Sequence, residues 1–326
     1  MRYIISSALA SLALSTAALA EVPRVMTDIP PVHSLVAQVM GDLGTPELLL
    51  EQGASEHDFQ LRPSQAASLA DADLIVWIGP ELTPWLTRAL DGLEGDVRLG
   101  LLATEGTYLQ DFAEDGAHGG HDHAGHDHDK AEAGHDDHAE DTHSEDGHAE
   151  DHGHSHEGTD PHAWLDPANA KHWAGVIAAR LSELDPANAA TYAANAKAAA
   201  AAIDATDGQV AALLAPVKDR PAVVFHDAYG YFAGHYGVTL AGSIAAGDAT
   251  APGAARLAAL QDGAKPVCVF PEAQHDAGLA EQLAEATGAK IGAALDPVGS
   301  TLPAGPDLYG ALMLSLATAL ADCLAG

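Results

Sequence analysis

Twelve of the nineteen histidines lie between Glu114 and Glu157, together with fifteen Asp and Glu residues and a single basic residue, Lys130. Neutral imidazole is the commonest protein ligand for zinc, copper and nickel. This segment, the His/Asp-rich loop (residues 114–157), has no apolar periodicity and therefore nothing to bury in a core. We interpret it as a disordered loop that binds transition metals. The alternative is a solvated acidic loop whose histidines are incidental.

A second group of candidate metal ligands lies outside this loop, in strand-to-helix connections. Glu56 and His57 follow the second predicted strand, and His162 follows the His/Asp-rich loop. His226 follows the fifth predicted strand directly, and Asp296 follows the last one. Three histidines and one carboxylate form an ordinary tetrahedral zinc site. Each residue alone is more often structural, and Asp296-Pro297 could simply open a turn. Their occurrence as a set beside the His/Asp-rich loop predicts a zinc site.

The elements that would position these residues alternate between short apolar strands and helices. The predicted strands are 22–27, 47–50, 74–78 and 98–102 before the loop, and 222–225, 239–244, 267–270 and 290–294 after it. This alternation predicts an α/β fold with parallel sheets covered by helices on both faces. Ligands of such sheets bind at the carboxyl ends of the strands. Two (β/α)4 lobes facing each other would therefore hold the metal in the interlobe cleft.

An alanine-rich region separates the two sets of strands. Residues 167–184 and 186–214 are predicted to form two helices, because alanine has the highest helix propensity and Pro186 suits a first helical turn. The second helix would span about 44 Å. It predicts a long rigid backbone helix rather than a flexible, Gly/Ser-rich linker. We therefore divide the chain into an N-terminal lobe (21–166), linking helices (167–216) and a C-terminal lobe (217–326).

The amino terminus and the charge indicate where the protein works. Residues 1–20 combine Arg2, an apolar run and the small-residue sequence Ala18-Leu19-Ala20, which predicts a cleaved secretory signal and a periplasmic location. The formal net charge of −33 makes nucleic acid an improbable partner, because phosphate binding requires Lys and Arg. The same negative field attracts cations.

The two cysteines, Cys268 and Cys323, are both late in the chain. In an oxidising compartment two cysteines most simply form one disulfide, which here would join a strand of the C-terminal lobe to the last helix. A cysteine metal site is the alternative. The wide spacing and the lack of a CxxC motif argue against it.

Several stretches of the sequence together resemble one protein family. They are GASEHDFQLRPSQAASLADADLIVWIGPELTPWL, DPHAWLDP, VFHDAYGYF, VCVFPEAQ, LDPVG and DCLAG, and they span nearly all of the chain after the predicted signal. These stretches resemble the ZnuA-type zinc-binding components of bacterial ABC importers, which are cluster A-I solute-binding proteins. The resemblance implies two (β/α)4 lobes, a long backbone helix, and zinc in the cleft between the lobes.

The resemblance also implies a ligand set. The three zinc histidines of the family correspond to His57, His162 and His226. Manganese-binding relatives have a glutamate in place of His226 and use an aspartate at the position of Asp296. A third imidazole therefore favours zinc, because carboxylate oxygen suits manganese better. The fourth ligand stays open: Glu56 is the first choice, Asp296 the second, and water the third. Cys268 and Cys323 resemble the family's disulfide pair.

The function that the resemblance implies is capture of periplasmic Zn²⁺ and its delivery to a membrane ABC permease driven by a cytoplasmic ATPase. The His/Asp-rich loop would bind further zinc weakly and assist acquisition or transfer, with a periplasmic zinc chaperone as a possible donor. We expect a monomer and no enzyme activity. One alternative is a periplasmic zinc buffer without a permease. Another is a zinc hydrolase, since His₃ with water is also a catalytic arrangement, but the sequence has no HExxH motif.

Overall fold

The computed structural model of the chain describes residues 22–57, 59–112, 158–245 and 253–326. Two of the sequence-based expectations lie outside these residues. They are the secretory signal at residues 1–20 and the His/Asp-rich loop at residues 114–157.

The first lobe contains a four-stranded parallel sheet with the spatial order β2-β1-β3-β4. Its strands are β1 (Val25–Thr27), β2 (Glu47–Leu48), β3 (Leu74–Trp77) and β4 (Arg98–Gly100). Its helices are α1 (Pro30–Met40), α2 (Pro63–Ala70) and α3 (Pro84–Asp91). Each of these helices has a proline at its start, where the missing N–H costs no hydrogen bond and the fixed φ suits the helix. One strand-to-helix connection of this sheet, between β2 and α2, contains His57.

Two long helices follow and pack against each other. They are α4 (Pro167–Leu184) and α5 (Ala189–Leu214). The predicted helix over 186–214 is shorter by one turn, because Pro186–Asn188 forms a separate 3-10 turn. The buried Asp185 carboxylate holds this turn by accepting hydrogen bonds from Asn188 Nδ2 at 2.6 Å and Tyr192 Oη at 2.9 Å. The remaining 26 residues of α5 span about 39 Å.

The second lobe repeats the architecture of the first with the strand order β6-β5-β7-β8, again parallel throughout. Its strands are β5 (Ala222–Val224), β6 (Leu240–Ser243), β7 (Cys268–Val269) and β8 (Lys290–Ile291). Its helices are α6 (Gly230–Tyr236), α7 (Ala254–Gly263), α8 (Gly278–Thr287) and α9 (Leu308–Ala325). The two sheets and the long helix confirm the predicted fold class.

One hydrophobic core extends through both lobes. It contains Val76 of β3, Val224 of β5, Ile203 of α5 and Leu316 of α9, all almost fully buried. Helix α5 contacts α1 on one side and α9 on another, so it connects the lobes through packed side chains. This shared core packs the lobes together, and each lobe also has a smaller apolar cluster of its own, which includes Leu86 in the first lobe and Leu283 in the second.

Helix α9 closes the second lobe. It is the one helix in the described part of the chain that is long and apolar enough to cross a membrane by length and composition. Its apolar side chains lie largely against the core, including Tyr309, Leu312 and Leu320. Cys323 of this helix forms a disulfide with Cys268 of β7, as the sequence predicted, and their Cα atoms are 6.3 Å apart.

Candidate metal centre

Three histidines that are far apart in the sequence meet between the lobes. His57, His162 and His226 each offer one ring nitrogen, and the three nitrogens all lie within 4.8 Å of one another. Three nitrogens bound to one tetrahedral zinc ion at 2.0–2.1 Å would be about 3.4 Å apart. Small side-chain movements therefore suffice to bring all three onto a single ion. The first-choice ligands predicted from the sequence are Glu56 and three histidines. The structure brings the three histidines together.

The fold explains why these three side chains converge. His57 lies in the connection between β2 and α2, and His226 lies two residues after β5. His162 immediately precedes the 3-10 turn Ala163–Leu165, which leads into α4. The imidazole centroids are 5.3 to 6.1 Å apart. Because the carboxyl ends of parallel strands carry ligand-binding loops, two facing sheets bring such loops together.

A buried carboxylate fixes the ring of His162. Nδ1 of His162 lies 2.7 Å from Oδ1 of Asp160, and the backbone N–H of His162 donates to the same oxygen at 3.0 Å. The other oxygen of Asp160 accepts a hydrogen bond from Nε2 of Gln110 at 3.0 Å. Asp160 thus engages Nδ1 of His162. The other ring nitrogen, Nε2, is buried and has no hydrogen-bond partner among the described residues. This nitrogen faces the cluster and suits a metal ion.

Burial lowers the pKa of His162 below its ordinary value, although the hydrogen bond to Asp160 opposes this effect. The depressed pKa favours the neutral imidazole near pH 7. A metal ion binds only the neutral form. The environment of His162 therefore keeps this side chain ready to bind metal.

A second buried carboxylate contacts His226 in a similar way. Nδ1 of His226 lies 2.5 Å from Oε2 of Glu272, and both side chains are buried. The hydroxyl of Tyr229 donates a hydrogen bond to the other oxygen of Glu272. Nε2 of His275 lies 3.7 Å from Oε2 of Glu272. Glu272 therefore links the metal-facing histidine to two further side chains of the second lobe.

Glu56 lies at the edge of the three-histidine cluster. Its Oε1 atom is 3.9 Å from Nε2 of His57, and the carboxylate is buried. The indole N–H of Trp85 donates to the backbone oxygen of Glu56 at 2.8 Å and so fixes this part of the chain. Among the described residues, the group of ligand atoms that share the 4.8 Å limit contains the three histidines and does not include Glu56.

Both carboxylate oxygens of Asp296, the second choice for a carboxylate ligand, already accept hydrogen bonds from nearby residues. Its Oδ1 atom accepts hydrogen bonds from Gln274 Nε2 at 2.8 Å and from the Ser300 N–H at 3.0 Å. Its Oδ2 atom accepts from the N–H and hydroxyl of Thr301, at 2.8 and 2.7 Å. These bonds use the lone pairs that a metal ion would need, so Asp296 supports the loop 296–301.

The loop 296–301 reaches across to both ligand-bearing segments of the first lobe. The indole N–H of Trp164 donates to the backbone oxygen of Pro297 at 2.8 Å. The N–H of Gly53 donates to the backbone oxygen of Ser300 at 3.2 Å. Trp164 is two residues after His162, and Gly53 is four residues before His57. This loop thus connects the two lobes close in sequence to His57 and His162.

The described residues that flank the His/Asp-rich loop lie close to the three-histidine cluster formed by His57, His162 and His226. Asp111 and Thr159 form an antiparallel bridge, and the N–H of Phe112 donates to the backbone oxygen of Gly158 at 3.2 Å. The ring centroid of Phe112 is 6.5 Å from that of His162. The segment therefore leaves and re-enters the described structure beside one of the metal-facing histidines.

Other histidines hydrogen-bond away from the cluster. Nε2 of His33 contacts the Pro46 oxygen at 3.1 Å, and Nε2 of His172 contacts the Glu105 oxygen at 2.9 Å. His235 bridges two carboxylates, with Nδ1 3.3 Å from Oδ1 of Asp166 and Nε2 2.9 Å from Oδ1 of Asp207. Although burial acts to lower it, these two carboxylates hold the pKa of His235 above its ordinary value.

Sequence reasoning assigned no role in metal binding to Asp160 or Glu272. Each is nevertheless part of a visible pattern. Asp160 is two residues before His162 in DPHAWLDP, and Glu272 follows the apolar run VCVFP in the stretch VCVFPEAQ. A carboxylate that precedes or faces a predicted metal histidine is a reasonable candidate for the hydrogen-bond partner of its ring.

Comparison with known proteins agrees with this geometry. A family profile described as "ZnuA: Zinc-uptake complex component A periplasmic" matches residues 25–323. The chain is 56% identical over 328 residues to the high-affinity zinc uptake system protein ZnuA of Paracoccus denitrificans (strain Pd 1222), covering 98% of each chain. It is 45% identical over 305 residues to the protein of that name from Brucella abortus (strain 2308), covering 92% and 91%. A solved structure titled "Crystal structure of ZnuA" is similar with a TM-score of 0.69 at 25% identity, covering 93% of this chain and 99% of the other.

Proposed function

Since the chain belongs to the ZnuA family of periplasmic zinc-uptake components, we propose that it captures Zn²⁺ in the periplasm and delivers it to a membrane ABC permease driven by a cytoplasmic ATPase. Zinc is the cargo, and the three-histidine cluster is its binding site. Members of this family are components of uptake systems rather than enzymes.

One observation carries the proposal: three imidazoles from three separate segments bring their nitrogens within 4.8 Å of one another. Buried carboxylates contact two of these rings through Nδ1, so Nε2 is the nitrogen of each ring that we propose binds zinc. A nitrogen-rich set favours zinc over manganese, which prefers carboxylate oxygen. Ligands from both lobes also suit a cargo site, because a shift between the lobes can weaken the binding.

We propose Glu56 as the fourth ligand. Its carboxylate oxygen is 3.9 Å from Nε2 of His57, so a small rotation would bring it to an ion bound by that nitrogen. Asp296 is less suitable, because Gln274, Ser300 and Thr301 already donate to its oxygens. Water remains the alternative occupant of the fourth position.

The His/Asp-rich loop is proposed to bind additional zinc weakly and to assist acquisition or transfer. Two features support this role. The loop contains twelve histidines, and Phe112, which precedes it, has its ring centroid 6.5 Å from that of His162. Weak sites are expected, because ordering a polar segment around an ion costs conformational entropy. A periplasmic zinc chaperone is a further proposed donor.

We retain as a proposal the division of the chain into an N-terminal lobe, linking helices and a C-terminal lobe. The packing of the linking helices against both lobes then limits how zinc can be released. Helix α5 packs against α1 and α9, so large hinge motions would break core contacts. Release is therefore proposed to need only small lobe shifts and loop movement. We propose that the protein acts as a monomer.

A periplasmic zinc buffer that has no permease partner would use the same site. The two functions differ in the cell: deletion of an importer component lowers zinc uptake from zinc-poor medium, whereas loss of a buffer lowers only the stored zinc. A neighbouring permease and ATPase in the genome would favour import.

Competitive zinc titration at pH 7 with a chromophoric chelator tests the proposal. The mature protein is compared with His226→Ala, with a variant lacking residues 117–157, and with His172→Ala as the matched control for loss of a histidine outside the cluster. We expect the tight site to survive the deletion and the control change but to collapse in His226→Ala. Loss of the tight site on deletion, with His226→Ala silent, would make the His/Asp-rich loop the primary receptor and the cluster assignment wrong.

A further inference from the structure

Glu272 and His226 occupy equivalent positions at the ends of neighbouring strands. Strands β5 and β7 are parallel, and Val223 of β5 pairs with Val269 of β7. His226 and Glu272 each come three residues after these paired positions. The register of the sheet therefore places the carboxylate beside the imidazole, at the edge of the sheet that faces the metal centre.

The main chain of Glu272 is fixed independently of its side chain. Glu272 forms a parallel bridge with Leu295. The N–H of Ala273 donates to the Leu295 oxygen at 2.8 Å, and the N–H of Leu295 donates to the Pro271 oxygen at 2.9 Å. These bonds hold Glu272 on both sides, so its carboxylate is presented from a rigid support.

The chemistry of the side-chain contacts sets the tautomer of His226. An ionised carboxylate can only accept hydrogen bonds. Oε1 of Glu272 accepts from the Tyr229 hydroxyl, and Oε2 lies 2.5 Å from Nδ1 of His226. A neutral imidazole that donates to this oxygen carries its proton on Nδ1, and the lone pair that can bind a metal ion is then on Nε2.

We propose that Glu272, held by Tyr229, is a positioning residue that determines the zinc affinity of the cluster through the tautomer and orientation of His226. This inference rests on the proposed function, because it assumes that His226 binds zinc. Glu272 does not touch the ion. Groups that hydrogen-bond to metal-binding histidines orient the ring and raise its basicity, and their loss commonly weakens metal binding 10- to 100-fold.

Glu272→Gln tests the proposal with little change in side-chain volume. The amide is neutral, and when its NH₂ group faces Nδ1 it stabilises the tautomer that has its proton on Nε2. We expect zinc affinity to fall roughly 10- to 100-fold. Tyr229→Phe, which keeps the carboxylate but removes one of its supports, should cause a smaller loss in the same direction. Glu285→Gln, an exposed carboxylate in α8, is the matched control and should bind zinc like the wild type.

A spectroscopic measurement separates positioning from a general structural effect. Long-range ¹H–¹⁵N correlation spectra of the zinc-free protein report which imidazole nitrogen carries the proton. We expect the His226 ring of the wild type to be protonated at Nδ1, and Glu272→Gln to shift the population toward protonation at Nε2. Wild-type zinc affinity and an unchanged His226 tautomer in a folded Glu272→Gln variant would overturn the proposal.

Failure of this inference can be distinguished from failure of the proposed function. His226→Ala is measured in the same titration series. If His226→Ala loses the tight site while Glu272→Gln keeps it, the cargo site stands and the role of Glu272 is wrong. If His226→Ala also binds zinc like the wild type, the proposed cargo site itself is wrong. Should Glu272→Gln fail to fold, a wild-type affinity and tautomer in a folded Tyr229→Phe variant refute the inference.

Discussion

Reduction of the Cys268–Cys323 disulfide should destabilise the whole molecule and not only the lobe that contains it. The bond joins β7 to α9. Helix α9 packs against α5 and α1, and all of these elements contribute to one hydrophobic core. Loss of the cross-link is therefore expected to lower the free energy of unfolding for both lobes together.

The expected magnitude follows from the length of the closed loop. The two cysteines are 55 residues apart, and the loop-entropy relation gives roughly 4 kcal/mol at 25 °C for a loop of that length. For a chain of this size, the urea dependence of the unfolding free energy is about 3 kcal/mol per molar. The urea midpoint should therefore fall by about 1 M on reduction.

The positions of the tryptophans make this prediction informative. The four tryptophans belong to β3, α3, the 3-10 turn before α4, and α4 itself, and they are Trp77, Trp85, Trp164 and Trp173. Tryptophan fluorescence thus reports on the part of the molecule that is remote in sequence from the disulfide. Far-UV circular dichroism reports on all helices. Both signals are measured in urea for the oxidised and reduced zinc-free protein, with Cys268→Ala/Cys323→Ala as a control on which the reductant should have no effect.

Both signals should move by the same amount if the core acts as one unit. A reduced protein whose circular dichroism midpoint falls while its tryptophan midpoint stays in place would show that the lobes unfold separately. That result would refute the reasoning from a shared core. A shift far below 1 M in both signals would instead contradict the loop-entropy magnitude.

Three further predictions concern single side chains. The raised pKa of His235 means that the stability it contributes is fully present below its unfolded pKa of about 6.5 and is lost as the pH rises through the folded value; His235→Gln should therefore lower the melting temperature more at pH 5.5 than at pH 8.5. Asp296→Asn should lower the free energy of unfolding by about 1–3 kcal/mol, because the amide NH₂ group would face hydrogen-bond donors of the loop. A large loss of zinc affinity in a folded Asp296→Asn variant would favour Asp296 over Glu56 as the fourth ligand. Gly292→Ala should cost about 1–3 kcal/mol in urea unfolding, because its Cβ would collide with the buried ring of Phe270, and wild-type stability would contradict this packing.

The alternation of strands and helices was readable from the sequence, but the ends of the strands were not. The predicted strand at 290–294 is observed only as Lys290–Ile291. The chain then leaves the regular ladder, and Leu295 returns to it as an isolated bridge with Glu272. Apolar runs show which segments are buried, whereas the end of a ladder depends on where the neighbouring strand stops. That information is not local to the segment.

The candidate site shows the same division between local and non-local information. The histidines were found because imidazoles after strand ends are visible one segment at a time. The environment of Asp296 was not visible, since it depends on how Ser300 and Thr301 fold back onto its carboxylate. Glu272 was missed as a partner of His226 for a similar reason, because the two meet only through the register of β5 and β7.

The unequal burial of the three imidazoles has a consequence for how long an ion stays bound. The side chains of His162 and His226 are each 2% exposed, whereas that of His57 is 19% exposed. His57 lies in the connection between Leu48 and Pro63, whose described residues form no helix or strand. Two of the three proposed ligands are therefore held in the protein interior, and the third, His57, lies in an irregular connection nearer the surface.

The time for which a zinc ion stays bound then depends mainly on the segment that carries His57. With an association rate on the order of 10⁸ M⁻¹s⁻¹ and a dissociation constant on the order of 1 nM, an ion would dwell for about 10 s. The ion pair between Arg62 and Glu51 spans the base of the His57 connection at the surface, and the Gly53 hydrogen bond to Ser300 anchors it to the second lobe. A partner that loosens these two contacts could shorten the dwell time by withdrawing one ligand, while His162 and His226 stay in place for the next ion.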